Sequence, residues 1–219
     1  MAGRRILLAG ATGLVGRECL ARLADDHSIS RVTALVRRQP RAAEAGTGAG
    51  RVRFEQADFG RLHDRPELFA VDQACCALGT TIARAGTRDA FRRVDFDYPL
   101  EIARLALAGG ARHFLLVSAV GASARSRVFY NRVKGELEEA IAALGFPAVT
   151  IVRPSLLLGE RAEARPLEAF IKRLAWLAPG RYQPVHAADV AAALVQAAAE
   201  DRPGLRMIES VDIPRQHAP

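Results

Sequence analysis

The chain has 219 residues (23.6 kDa), half of them hydrophobic and a quarter charged, with a formal net charge of +7 and an isoelectric point near 10.1. No apolar run approaches the roughly 20 residues of a membrane-spanning helix, and no basic run is interleaved with aromatics, so neither a membrane nor nucleic acid is an expected partner. The three cysteines, Cys19, Cys75 and Cys76, form no disulfide framework, and the five histidines are scattered without ligand spacing, so a reduced, cytoplasmic protein without a metal is expected.

Along the chain, RRILLAG (4–10) is an aliphatic run ending in glycine and predicts a buried strand. Two arginines ahead of it imitate a secretory signal, but the stretch is short and glycine-rich, and none is expected. Leu14, Val15, Leu20 and Leu23 give the next segment helical spacing. RVTALVRR (31–38) reads as a second strand, 39–50 as a loop of small residues, RVRFEQADF (51–59) as a third strand and DQACCALGTT (72–81) as a fourth. DAFRRVDFDYPLEIARLALAGG (89–110) predicts one long helix closed by Gly109 and Gly110. RHFLLVSAVGA (112–122) is a fifth strand, NRVKGELEEAIAALG (131–145) a helix, and AVTIVRPS (148–155) a sixth strand. After residue 158 comes a charged loop, followed by Leu167, Phe170, Ile171, Leu174 and Leu177 on one helix face. VHAADVAAALVQAAAE (185–200) reads as a further helix and GLRMIE (204–209) as a last strand.

Strands alternating with helices predict an α/β fold with a doubly wound parallel sheet, its ligand site beyond the carboxyl ends of the strands. Residues 1–219 are expected to form a single domain, with 159–185 as a small cap segment over the substrate site.

GATGLVG places Gly10, Gly13 and Gly16 between the first strand and the first helix. This is the spacing and context of a dinucleotide-binding turn, in which residues Gly10, Ala11, Thr12, Gly13, Leu14, Val15 and Gly16 would surround a pyrophosphate at a helix N-terminus. A carboxylate ending the second strand would select NAD; Arg37 and Arg38 stand there instead, and a guanidinium fork suits a 2′-phosphate, so NADP(H) is the expected cofactor. Asp58, after the third strand, reads either as a partner for the adenine amino group or as a turn residue.

Only two of the 31 basic residues are lysine, and one of them, Lys134, stands four residues after Tyr130 at the start of a helix. The two share a face, and Ser118 at the end of the fifth strand can converge on them. A phenol of ordinary pKa near 10 can protonate a carbonyl but is a poor base at neutral pH. A cation about 4 Å away at an effective dielectric of about 20 favours the phenolate by about 4 kcal/mol.

The glycine turn, SAVGASARSRVFYNRVK (118–134) and RPS (153–155) together resemble the short-chain dehydrogenase/reductase superfamily over residues 5 to about 210. CCALGTT, VDFDYPLEIARLALAGGARHF and FYNRVKGELE resemble its atypical group, which includes the human Tat-interactive oxidoreductase and small bacterial NAD(P)-binding proteins. The resemblance implies a Rossmann domain with catalytic Ser118, Tyr130 and Lys134, the lysine also bonding the nicotinamide ribose. It further implies cofactor contacts from Leu78, Gly79 and Thr80, from Pro154, Ser155 and Leu157, and from Arg165. Where many members carry asparagine on the helix after the fourth strand, this chain has Asp95, which can replace the helix-bending contact but adds charge. The expected function is an NADP(H)-dependent oxidoreductase of a small carbonyl or alcohol. The alternative is a non-catalytic NADPH-binding redox sensor acting on a regulatory protein partner, with a homodimer also compatible. A sugar-nucleotide epimerase or dehydratase ranks third, because the roughly 60 residues after the sixth strand are few for its substrate domain.

Overall fold

A computed structural model describes residues 3–40, 50–158 and 182–214. Among these residues the elements run β1 (Arg4–Ala9), α1 (Leu14–Asp25), β2 (Ile29–Val36), β3 (Val52–Gln56), two 3₁₀ turns (Leu62–Asp64 and Pro66–Phe69), β4 (Gln73–Cys76), α2 (Ile82–Ala85) and α3 (Arg88–Arg92). A π-helical turn (Arg93–Asp97) leads into α4 (Tyr98–Ala108), then β5 (His113–Val117), α5 (Phe129–Ala142), β6 (Ala148–Arg153), β7 (Leu157–Leu158), β8 (Val185–His186), α6 (Ala187–Glu200) and β9 (Gly204–Glu209). Seven strands form one parallel sheet in the order β3-β2-β1-β4-β5-β6-β9. This is the doubly wound α/β fold, with the order reversing between β1 and β4.

Both faces of the sheet are covered, which is why its central strands are almost continuously apolar rather than alternating. Ile6, Leu8, Cys75, Leu115 and Val152 point to one side and pack with α1 and α6. Leu7, Ala9, Ala74, Cys76, Phe114, Leu116 and Ile151 point to the other and pack with α4, α5 and the 3₁₀ turns. The two buried layers hold the carboxyl ends of the strands in one row.

The fourth and fifth strands end at Cys76 and Val117, short of the expected Thr81 and Ala122, and two further elements depart from the sequence expectation. The helix expected over 89–110 runs without a gap from Arg88 to Ala108, but its Arg93–Asp97 turn is π-helical. Pro99, at the start of α4, has no N–H to give the Asp95 carbonyl four residues earlier, so the regular helical ladder cannot run through this point. The helix expected from 185 begins only at Ala187, because Val185 and His186 pair with Leu157 and Leu158 as a two-residue parallel ladder. Of the expected cap segment, residues 159–181, including Arg165, lie outside the described residues.

Candidate functional site

The loop between β1 and α1 is shaped by two close approaches. Gly10 has φ +89°, and a Cβ there would lie 2.6 Å from the carbonyl carbon of Ala77 after β4. A Cβ on Gly16 would lie 1.9 Å from the Gly10 oxygen, so only glycine lets α1 start against the turn. Ala11 and Val15 face the core and Leu14 packs against it, which leaves backbone rather than these side chains to meet a ligand. Thr12 and Gly13 are exposed. Gly13 caps α1 with no side-chain acceptor, and the first turn carries no acidic residue. The N–H groups and positive dipole end of a 12-residue helix are thus open to an anion.

Beyond the ends of β2 and β3 lies a cavity of about 540 Å³ lined by Arg37, Gln56, Ala57, Asp58, Phe59 and Tyr98. Arg37 and Arg38 follow the last residue of β2, are exposed, and have no ion-pair partner among the described residues. Asp58 takes its turn role, its Oδ1 accepting the Gly60 N–H at 2.9 Å, while it also lines the cavity. Tyr98, whose ring packs 5.7 Å from that of Phe59, was not anticipated. In the sequence it is one more residue of an expected long helix; in the structure it directly follows the π turn and lines the cavity.

The most deeply buried charges of the site are Lys134 on α5 and Asp95 in the π turn. Lys134 Nζ stands 2.9 Å from Asp95 Oδ1, with side-chain exposures of 3% and 0%. Asp95 Oδ2 accepts the Thr80 N–H at 2.8 Å, which ties the loop after β4 to the pair. Gly79 faces it directly: a Cβ there would lie 3.5 Å from Asp95 Oδ1 and 3.9 Å from Lys134 Nζ. Burial by itself pushes Lys134 toward neutrality, but the Asp95 carboxylate, and then Tyr130, outweigh it and hold the ammonium above its ordinary value. The lone cation assumed from the sequence is therefore one half of a pair, and its field at neighbouring groups is that of a pair. Beside it, burial pushes the Cys76 thiol up to about 12, so it is protonated at neutral pH and is no nucleophile.

Ser118 follows β5 directly, its N–H still bonded to the Val152 carbonyl at 2.8 Å. The residue is 5% exposed, and its hydroxyl has no hydrogen-bond partner among the described residues. Tyr130, one turn before Lys134, is half-buried, its ring 5.5 Å from that of Phe91. Leu78 packs against the core from the same loop as Gly79 and Thr80. After β6, the Pro154 carbonyl accepts the Val120 N–H at 2.8 Å, the Ser155 N–H donates to Ser210 Oγ at 3.2 Å, and the Ser155 hydroxyl donates to the Gln183 carbonyl. Ser155 thus spends its polar groups tying the start of β7 to the segments after β9 and before β8, and Leu157 packs against the core. Arg153, the last residue of β6, was overlooked. Its guanidinium clasps Glu138, one turn beyond Lys134, and Glu209 of β9, fixing α5 against the sheet.

An unpartnered buried hydroxyl, a buried ammonium with a single carboxylate partner, an uncapped helix N-terminus and exposed arginines line one edge. That donor set fits a phosphate-rich dinucleotide with a reactive carbonyl beside it. Among the described residues no group of three or more His, Cys, Asp or Glu could hold a metal ion.

Residues 10–201 match a family described as NAD(P)H-binding. The mitochondrial protein fmp52 of Aspergillus clavatus is 35% identical over 216 residues, covering 95% of this chain and 90% of that protein. Protein HTATIP2 of Rattus norvegicus is 38% identical over 169 residues, covering 77% and 69% respectively. Two solved structures share the fold. The enzyme WbmH of Bordetella bronchiseptica, in complex with NAD+, has a TM-score of 0.73 at 14% identity, with 94% of this chain and 76% of that one covered. UDP-glucose 4-epimerase of Thermotoga maritima, with UDP-glucose, has 0.70 at 16% identity and the same coverage. The expectation of a cytoplasmic protein is overturned by the relatives: fmp52 proteins, that of Eremothecium gossypii at 35% identity among them, are named mitochondrial. Three buried, unpaired cysteines argue only against an oxidising compartment and do not separate one reducing compartment from another.

Proposed function

Because the chain belongs to the NAD(P)H-binding family, we propose that it is an NADP(H)-dependent oxidoreductase of the short-chain dehydrogenase/reductase type, acting on a small carbonyl or alcohol. The observation that carries this reading is the buried Lys134–Asp95 ion pair one turn from Tyr130, on the same sheet edge as the unpartnered Ser118 hydroxyl. Bound NADPH supplies the hydride. Ser118 donates a hydrogen bond to the substrate carbonyl oxygen, and Tyr130 gives that oxygen its proton as the C–O double bond is reduced. Asp95 keeps Lys134 charged and oriented, which leaves the ammonium's other N–H donors for the ribose hydroxyls and the tyrosine oxygen. The backbone of Gly10 to Gly16 receives the pyrophosphate, and Arg37 and Arg38 receive the 2′-phosphate.

Calorimetric titration of NADPH and NADH at fixed salt tests the cofactor. NADPH is expected to bind more tightly, and Arg37→Ala with Arg38→Ala to weaken it by about 10- to 100-fold, with NADH nearly unchanged. Equal affinities in the unaltered protein sink the assignment of the arginines. A screen of aldehydes, ketones and quinones for NADPH oxidation tests the chemistry, and Lys134→Arg should lower turnover by about 10²- to 10⁴-fold. The Asp95 carboxylate, which matches the lysine's charge, favours a second reading as an NADPH sensor. Tight NADPH binding without turnover of any carbonyl would select it.

A further inference from the structure

The loops after β4 and β5 carry most of the chain's charge imbalance. Residues 81–93 and 119–132 contain seven arginines and one carboxylate, Asp89, a net +6 against +7 for the whole chain, although two of the seven, Arg92 and Arg132, face Glu136 of α5. The structure brings both loops to the carboxyl edge of the sheet and joins them through aromatic rings. Phe91 packs against Phe129 at 5.7 Å and Tyr130 at 5.5 Å between ring centroids. The guanidinium groups of Arg88 and Arg132 lie 5.1 and 5.7 Å from the centre of the Phe129 ring. The second loop is folded back on α5: the Ser123 N–H donates to the Asn131 carbonyl at 3.0 Å, and Arg132 donates to the Ser126 carbonyl at 3.1 Å.

Many arginines elsewhere face carboxylates, as Arg4 does Asp26, Arg5 does Asp72, Arg153 does Glu138 and Arg206 does Glu200. Arg84, Arg88, Arg125 and Arg127 are exposed, and among the described residues no carboxylate lies within ion-pair distance of them. The cofactor does not account for them. Its phosphates are assigned to the loops after β1 and β2, whereas Arg125 and Arg127 stand five and three residues before Tyr130 and Arg88 lies over the neighbouring Phe129 ring. Unmatched like charges repel one another and raise the local concentration of oppositely charged ligands.

Resting on the oxidoreductase reading, we propose that the substrate is an anionic carbonyl compound. Its carboxylate or phosphate is received by Arg84, Arg125 and Arg127 while its carbonyl reaches Tyr130 and Ser118. A guanidinium fork offers two parallel N–H donors to either anion.

The test uses a matched pair of probes, 4-formylbenzoate and its uncharged methyl ester, with the full-length protein. Binding is measured with NADP+ saturating, so that nothing turns over, at about 20 mM and about 500 mM salt. The anion should bind about tenfold or more tightly than the ester at low salt, with the advantage shrinking at high salt. Arg84→Gln, Arg125→Gln and Arg127→Gln together should remove the advantage while NADP+ affinity is kept. Arg104→Gln with Arg112→Gln, on the outer face of α4 and at the amino edge, should keep it. Equal binding of acid and ester, or an equal loss in the control, overturns the proposal. Reduction of both compounds by NADPH at the same rate removes the anion preference and leaves the oxidoreductase. Selective anion binding with no reduction of either leaves the arginine site and removes the oxidoreductase.

Discussion

At the amino end of β5, His113 is completely buried and both ring nitrogens are engaged. Nδ1 lies 2.9 Å from Asp201 Oδ1 and Nε2 lies 3.0 Å from Thr150 Oγ. A carboxylate can only accept, so Nδ1 carries the hydrogen, and the neutral ring takes the threonine hydroxyl at Nε2. At the other end of the same strand Ser118 is 5% exposed and its hydroxyl is bonded to nothing among the described residues. One turn beyond Tyr130, an ion pair is buried that a stability argument alone does not favour, since desolvating two charges costs about as much as their attraction returns. The contrast within one strand separates two uses of buried polarity. At the amino end of β5 the polar atoms are satisfied and lock elements together; at its carboxyl end the Ser118 hydroxyl is left with its hydrogen-bonding capacity unused among the described residues.

The largest effect on stability is expected from splitting the ion pair. Lys134→Met leaves Asp95 buried without its cation, and Asp95→Leu leaves the ammonium uncompensated. Each should cost about 3–5 kcal/mol in urea unfolding. The double variant should be more stable than either single one and should lack turnover. A double variant no better than the singles would mean that the pair contributes to folding as well as to the site.

A smaller loss, about 1–3 kcal/mol, is expected at the amino edge for Thr150→Val, which leaves a buried ring nitrogen unpaired. Burial, partly offset by Asp201, holds the His113 pKa below its ordinary value near 6.5. The folded state therefore keeps the ring neutral while the unfolded chain takes up a proton, so this contribution is complete above about pH 6.5 and is lost as pH falls below it. Urea midpoints should drop between about pH 7.5 and about pH 5.5, and His113→Gln should flatten that slope. NADPH affinity should not change in either variant.

Ser118→Ala should alter stability least, by less than about 0.5 kcal/mol, because no hydrogen bond is lost. Its turnover should still fall. A large loss of stability in Ser118→Ala would show that the hydroxyl has a structural partner and would erase the contrast between the two edges.

Much of this arrangement is legible from residue order. The parallel sheet shows as aliphatic runs because strands covered on both faces need apolar residues at every position. The glycine turn shows because a left-handed residue at Gly10 and a close approach at Gly16 admit no side chain. The spacing of Tyr130 and Lys134 shows because four residues make about one helical turn. What the sequence alone did not decide lies in contacts between distant segments. Asp95 and Lys134 are 39 positions apart, and their ion pair joins the π turn to α5. Tyr98 meets Phe59, and Arg153 clasps Glu138 and Glu209, through the packing of elements whose local patterns do not mention one another. Local propensity and periodicity are set by neighbours in the chain. The charge state of a buried lysine and the freedom of a buried hydroxyl are set by which atoms folding brings within about 3 Å, and only the tertiary structure decides that.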